Sequence, residues 1–158
     1  MSLILDELSR SVGDLAELIR VALRLFAAMI AGAVIGYQRE RSGKAAGLRT
    51  HMLVCMGTTL FVVAGMQIGM EQDALSRVIQ GLATGIGFIG AGAILKMETT
   101  TRIHGLTTAS GIWITAAIGV LVGLGRLGTA AMAVLLTWVV LALIVKVEDN
   151  IGDRDDLA

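Results

Sequence analysis

Long runs without a charged residue dominate the hydrophobic pattern of this sequence. Residues 52–70 and 78–95 each form such a run, and residues 105–145 form a third that only Arg126 interrupts. A helix needs about 20 apolar residues to cross the hydrocarbon core of a bilayer, so the third run is long enough for two crossings. Its turn is expected at GLGRLG, residues 123–128, because glycine accepts backbone conformations that other residues avoid. These runs predict four membrane spans.

A fifth span is expected before the first long run. The uncharged stretch 25–37 is too short to cross a bilayer, so the helix must extend back past Arg24 and Arg20. Arginine side chains near a helix end can reach the interface, which makes a full crossing plausible. We therefore predict an all-α membrane protein, a bundle of about five transmembrane helices near residues 19–38, 50–70, 76–96, 105–124 and 127–146.

The segments that flank this membrane domain, residues 19–147, are polar in different ways. Residues 1–18 are predicted to form an amphipathic helix that lies at the interface, and residues 148–158 an acidic cytoplasmic tail. Lysine and arginine are more frequent on the side that holds the loop GYQRERSGKAAGLRTH, residues 36–51. The cytoplasmic side of a membrane protein carries this excess, so we expect the N-terminus outside and the C-terminus inside.

Composition agrees with a chain embedded in the lipid bilayer. Hydrophobic residues make up 55% of the sequence and charged residues only 16%, whereas soluble domains carry about a quarter charged residues. The formal net charge is zero, so bulk electrostatics give no case for nucleic-acid binding.

Small residues indicate where the helices approach one another, because lipid gives helices no hydrophobic reason to associate. Ala28, Gly32 and Gly36 recur at steps of four in the first span, a pattern that serves a homodimer as well as an intrachain contact. Glycines are dense in the third span, where each costs up to about 1 kcal/mol of helix stability, so tight packing is expected there. The full set predicted at helix contacts is Ala28, Gly32, Gly36, Gly81, Gly85, Gly87, Gly90, Gly92, Gly111 and Gly119. We expect spans one, three and four to pack together and spans two and five to be more exposed to lipid.

Two faces of the third span differ in character. Arg77, Gln80 and Thr84 fall on one side at helical spacing, and aliphatic residues such as Leu82 and Ile86 fall on the other. We expect the polar side to face protein or water and the aliphatic side to face lipid. Polar residues inside a membrane are often functional, so this side is a candidate path for an ion or small solute.

Three motifs in order carry a family resemblance. The stretches GAVIGYQRERSGKAAGLRTHMLVCMGTTLF, RVIQGLATGIGFIGAGAILK and HGLTTASGIWITAAIGVLVGLG resemble the MgtC/SapB family of bacterial inner-membrane proteins. The residues that match its pattern are Arg39, Glu40, Gly47, Leu48, Arg49, Thr50, Asp73, Arg77, Gly85, Gly87, Gly90, Gly92, Gly105, Leu106, Thr107, Thr108 and Trp113. Gln38 departs from the acid that many members have there. The virulence-associated members continue into a soluble domain, so this sequence, which ends at Ala158, resembles a short form.

The resemblance implies a multi-pass protein of the bacterial inner membrane that acts as a regulator through membrane partners. It links the chain to magnesium homeostasis, growth in low magnesium and survival inside host cells, and it suggests the F-type ATP synthase as a partner. The alternative is a transporter or channel that uses the polar face of the third and fourth spans. Magnesium needs several oxygen ligands, yet the four spans in the long runs contain no carboxylate, which disfavours a dedicated magnesium transporter.

Motifs for catalysis are lacking in the sequence. It contains no HExxH, no Gly-x-Ser-x-Gly and no nucleotide-binding loop, so we expect neither an enzyme nor a bound cofactor or metal.

A polar cluster at the cytoplasmic face is the candidate functional site. It consists of Arg39, Glu40, Arg49, Thr50, Thr107 and Thr108. We expect Glu40 to pair with Arg49 or Arg39, and the helix that starts at Thr107 and Thr108 to close on the pair. Hydroxyls at a helix N-terminus can cap backbone amides or hold an anion. The cluster could equally serve only to lock spans one, two and four together.

Overall fold

The computed structural model describes residues 15–96 and 103–155, and side chains within 15–94 and 104–143. Its helices are α1 (Leu15–Arg41), α2 (Leu48–Gln67), α3 (Gln72–Gly92), α4 (Leu106–Gly123) and α5 (Leu127–Asp155). Two short strands, β1 (Leu95–Lys96) and β2 (Ile103–His104), pair antiparallel between α3 and α4. Each of α1 to α4 is long and apolar enough to cross a membrane, and α5 begins with the apolar stretch Leu127–Leu143. The prediction of an all-α membrane protein is confirmed.

The first helix starts earlier than expected. It begins at Leu15, inside the segment predicted to lie at the interface, and continues without a break to Arg41. Residues 1–14, which make up most of that segment, and residues 156–158 of the tail lie outside the described residues.

Helix α2 lies at the centre of the bundle, between α1 and α4. Its buried residues include Cys55, Thr59 and Val62, and α4 buries a comparable set against it. Helix α3 packs mainly on α4, and α5 packs on α1 and α4. We expected spans one, three and four to pack together and span two to be more exposed to lipid. Instead span two is central, because α2 presents small and hydroxyl side chains to neighbours on both sides, and span three packs mainly on span four.

Glycines hold α2 against both of its neighbours, and we call these contacts the glycine seam. A Cβ atom added to Gly32 of α1 would lie 2.5 Å from the carbonyl oxygen of His51, and one added to Gly36 would lie 2.7 Å from Leu48 Cα. On the other side, a Cβ at Gly119 of α4 would lie 2.6 Å from the carbonyl oxygen of Cys55. At these points backbone meets backbone, which only a residue without a side chain permits.

The glycines of α3 have a different environment. A Cβ added to Gly81, Gly85, Gly87 or Gly92 would meet nothing within 4 Å, and one at Gly90 would make only an ordinary contact with Ala109. Tight packing within this chain therefore does not explain Gly81, Gly85, Gly87 and Gly92, which corrects the prediction for these four positions, whereas Gly90 is buried against α4 as predicted. The reason is that α3 packs through its aliphatic side, where Ile86 is buried against Ile112 and Ala116 of α4.

Candidate functional site

The candidate site lies where α1 ends and where α2 and α4 begin. Arg39, in the last turn of α1, is only 2% exposed. Its Nη2 donates a hydrogen bond to Thr108 Oγ1 in the first turn of α4, at 2.9 Å. The same guanidinium has a buried Nε with no hydrogen-bond partner. The structure therefore brings Arg39 and Thr108 together, as the predicted cluster requires.

Glu40 turns away from the arginines and towards α2. Its Oε2 accepts a hydrogen bond from the backbone N–H of Leu48, the first residue of α2, at 2.7 Å. Gly47 at the N-cap has no side chain for this role, so the carboxylate of Glu40 acts as the cap and complements the positive end of the helix.

The expected pairing of Glu40 with Arg49 or Arg39 was wrong, since among the described side chains neither arginine forms an ion pair with it. Adjacent positions on a helix point about 100° apart, so Arg39 and Glu40 reach different neighbours. Arg49 and Thr107 are exposed and Thr50 is partly exposed, so the structure does not draw these three into the buried cluster.

A buried histidine extends the polar cluster into the bundle. His51 of α2 is fully buried, and its Nδ1 lies 2.8 Å from Thr115 Oγ1 of α4. Because the Thr115 hydroxyl donates to the carbonyl of Gly111 at 2.7 Å, it accepts from His51, and the imidazole proton is assigned to Nδ1. The Nε2 atom is then left buried with no hydrogen-bond partner.

The predicted cluster did not include His51. A signal for it was present, because Thr108, Gly111, Thr115 and Gly119 recur along one face of the fourth span. That face meets α2, and a side chain at Gly111 would contact the His51 ring, with Cε1 at 3.4 Å from the added Cβ.

The intramembrane polar residues of α3 face away from the bundle. Arg77, Gln80 and Thr84 are exposed, and the Thr84 hydroxyl donates to the backbone carbonyl of Gln80 in its own helix at 2.9 Å. The aliphatic side packs on α4 instead, so the expected orientation of α3 was inverted. We call the surface formed by Arg77, Gln80, Gly81, Thr84 and Gly85 the outer face of α3. The structure does not place it against α4, so the expected path between the third and fourth spans is not formed.

Two further polar side chains of α1 fasten other helices. Arg24 donates from Nη1 to the carbonyl of Gly123 at 2.8 Å, at the C-terminal end of α4. Gln38 donates from Nε2 to the carbonyl of Leu141 in α5 at 3.1 Å, and its buried Oε1 has no partner. The guanidinium of Arg24 and the amide of Gln38 therefore satisfy backbone carbonyls of α4 and α5.

The described residues contain no group of three or more His, Cys, Asp or Glu side chains that could hold a metal ion. The buried polar side chains in the described part of the chain are Arg39, His51, Thr58, Thr59, Thr108 and Thr115. The set holds one cation and no carboxylate, a chemistry suited to hydrogen bonding and to anions.

Helices that can cross a bilayer, held together by a seam of glycines, define a multi-pass integral membrane protein. The model of the MgtC family matches residues 25–150, and the chain belongs to this family.

Three relatives show how far the similarity extends. SrpB of Synechococcus elongatus is 47% identical over 116 residues, which cover 66% of this chain and 64% of SrpB. YhiD of Escherichia coli K12, named provisionally as a magnesium transporter, is 41% identical over 75% of this chain and 58% of its own length. MgtC of Salmonella typhimurium LT2 is 40% identical over 72% of this chain and 48% of its own length. This chain therefore spans about half to two thirds of these relatives, and no solved structure matches it.

Proposed function

We propose that this chain is a regulatory protein of magnesium homeostasis in the bacterial inner membrane, which acts by docking on another membrane protein through the outer face of α3. The observation that carries the proposal is the exposure of a glycine-rich polar helix face. Gln80 is exposed within a helix that can span the membrane, and Gly81 and Gly85, one helical turn apart, have open space around them. Small residues and interhelical hydrogen bonds are what hold transmembrane helices together.

Membership of the MgtC family supports the magnesium-related part of this proposal. The family resemblance also supports a role in adaptation to low magnesium and to life inside a host, with the F-type ATP synthase as the first partner to test. A helical membrane subunit of such a complex would supply small and polar side chains to the outer face of α3.

Transport of magnesium is the second candidate, since one relative is named for it. Magnesium is bound by several oxygen ligands and sheds its water reluctantly. The buried polar groups of the described bundle instead include Arg39, whose charge repels a cation, and lack a carboxylate. The chemistry of the bundle therefore favours regulation over magnesium transport.

The test compares two glycines that both have open space around them. Gly85→Leu fills the outer face of α3, whereas the control Gly128→Leu fills an equally open position on α5. Each variant is expressed in a bacterium that lacks its own family member and grows poorly in low magnesium, and a photo-crosslinker at Gln80 reports the partner.

We expect Gly85→Leu to abolish both growth support and the crosslink to an F-type ATP synthase subunit, and Gly128→Leu to retain both. A crosslink to a different membrane protein would keep the docking surface and replace the partner. Magnesium flux into liposomes that Gln80→Leu abolishes would contradict the regulatory proposal and favour transport.

A further inference from the structure

Two helices begin at the same end of the bundle, and their N-termini have opposite electrostatic environments. The N-terminus of an α-helix carries a partial positive charge. At α2 the carboxylate of Glu40 lies against this end, 2.7 Å from the N–H of Leu48. At α4 none of the described side chains caps Gly105, and the described charged side chain that contacts the first turn, at Thr108, is the cationic Arg39. The start of α2 is neutralised, while the start of α4 is made more positive.

The charge of Arg39 is not compensated by the described side chains. The residue is 2% exposed, its one hydrogen bond goes to the neutral hydroxyl of Thr108, and its Nε has no partner. No described carboxylate pairs with it, and the adjacent Glu40 is engaged at α2. Burial of an unpaired charge is costly, so a buried arginine of this kind favours an anion beside it.

The turn at the start of α4 requires a glycine. Gly105 adopts a φ of 95°, and a Cβ there would collide with the carbonyl of Ala93, so only glycine fits this turn. The first N–H groups of a helix have no acceptor within the helix, and no side chain among the described residues supplies one here. Amides that are free in this way, at the positive end of a helix, form an anion-binding site.

A cleft of about 540 Å³ lies beside the same helix end, between α4 and α5. Thr107 and Thr137 are among its lining residues, together with the apolar Ile114, Leu136 and Val140. Its volume is within the range of about 300–1,000 Å³ that ligand pockets occupy. The cleft therefore combines a polar end at the start of α4 with an apolar wall suited to a hydrocarbon chain.

We propose that the N-terminus of α4, together with Arg39, binds a phosphate-type oxyanion. The first-turn amides and the Thr107 hydroxyl donate to its oxygens, and Arg39, bonded to Thr108 in the same turn, supplies the compensating charge. Two sources share this chemistry: free inorganic phosphate, and the headgroup phosphate of an anionic lipid whose acyl chain lies in the α4–α5 cleft. This site is separate from the outer face of α3 and does not depend on the proposed docking function.

Binding is measured on the full chain in nanodiscs of zwitterionic phosphatidylcholine. In one arm, inorganic phosphate is titrated and both retained radiolabelled phosphate and the thermal midpoint are followed. In the other arm, the protein is taken from mixed phosphatidylglycerol and phosphatidylcholine membranes, and the lipids that stay bound are weighed by native mass spectrometry. Saturable binding of phosphate identifies the free ion, and selective retention of phosphatidylglycerol identifies the lipid.

Arg39→Gln is compared with the matched control Arg41→Gln, an exposed arginine two residues further along α1. We expect Arg39→Gln to weaken binding about 10- to 100-fold, as for loss of a hydrogen bond to a charged group, and Arg41→Gln to bind as the native chain does. Arg39→Lys should bind at an intermediate level, because it retains the charge and loses the Nε–H.

Thr107→Val covers the case in which Arg39→Gln does not fold. Thr107 is exposed, so this change leaves the contact between Arg39 and Thr108 intact, and we expect it to weaken binding several-fold. The proposal is overturned if the native chain neither binds phosphate saturably nor prefers phosphatidylglycerol. It is also overturned if a folded Arg39→Gln, or Thr107→Val where the former does not fold, binds as tightly as the native chain.

Discussion

Glycines are placed at two kinds of helix surface in this protein, and the two kinds differ in what lies beside them. In the glycine seam, the missing side chain of Gly32 or Gly119 lets a backbone carbonyl of α2 come within contact distance. On the outer face of α3, Gly81 and Gly85 have nothing within 4 Å of where a side chain would be. A glycine-rich helix therefore need not lie in the core of its own chain, and the open positions are the basis of the docking surface proposed above.

The largest effect is expected where a side chain would meet backbone. Gly32→Ala should lower the free energy of unfolding by about 1–3 kcal/mol or more, because its Cβ would lie 2.5 Å from the His51 carbonyl oxygen and the helices must separate. The measurement is the thermal midpoint in detergent, followed by size-exclusion chromatography. Gly57→Ala on α2 is the control, since its Cβ would meet nothing within 4 Å. Equal thermal midpoints for the two variants would contradict the distinction between glycines that contact backbone and glycines that have open space.

The seam also has a polar part, which a second pair of variants examines. Thr115→Val removes the hydroxyl that accepts from His51 and leaves a buried N–H unpaired, at a cost of about 1–3 kcal/mol. Thr84→Val is the matched change on the outer face of α3, where the exposed hydroxyl bonds only its own helix. We expect a lower thermal midpoint for Thr115→Val alone. A comparable loss for Thr84→Val would mean that the polar face of α3 is buried.

A third, smaller effect concerns the cap of α2. Glu40→Ala should cost about 1 kcal/mol, because the Leu48 amide loses its acceptor and the helix end loses a compensating charge. Glu71→Ala is a close control, since Glu71 occupies the N-cap of α3 without making a side-chain cap bond. Chemical denaturation in mixed micelles compares the pair. If Glu71→Ala is the more damaging change, the assigned role of Glu40 is incorrect.

The smallest effect has the opposite sign. Gly85→Ala should raise the stability of the isolated chain by up to about 1 kcal/mol, because alanine favours the helix and its Cβ meets no neighbour here. The same change should weaken the docking proposed for this face. The thermal midpoint of the purified chain and the yield of the Gln80 crosslink in cells are measured in parallel. A fall in the midpoint of the purified chain would show that Gly85 packs against its own bundle.

The helices could be predicted from the sequence because an uncharged run of sufficient length leaves the backbone no alternative in lipid. The orientation of α3 could not, because lipid is as apolar as leucine and the aliphatic side gains as much against Ala116 as against lipid. The polar side of α3, with Gln80, therefore faces outward from this chain.

The candidate site was predicted only in part, because Arg49, Thr50 and Thr107 lie outside the buried cluster, while His51 and Thr115 belong to it and were not predicted. Arg39 of α1 and Thr108 of α4 are hydrogen-bonded, as the predicted cluster requires. The spacing of threonines and glycines in the fourth span indicated the face of α4 on which Thr108 lies. The direction of Glu40 was missed because opposite charges nine residues apart can pair only if their helix faces agree. His51 was missed because a single histidine at a helix start has no spacing pattern to reveal its depth.

The last turn of α1 has a mechanical consequence. Arg39 is bonded to the start of α4 and Glu40 to the start of α2, so one short piece of helix connects the first turns of two others. A small rotation of this piece would change both contacts at once. If the proposed anion binds at the start of α4, its effect on Arg39 would therefore also reach the contact that Glu40 makes with α2. The end of α1 is thus the piece of the chain at which a change at the start of α4 and a change at the start of α2 would meet.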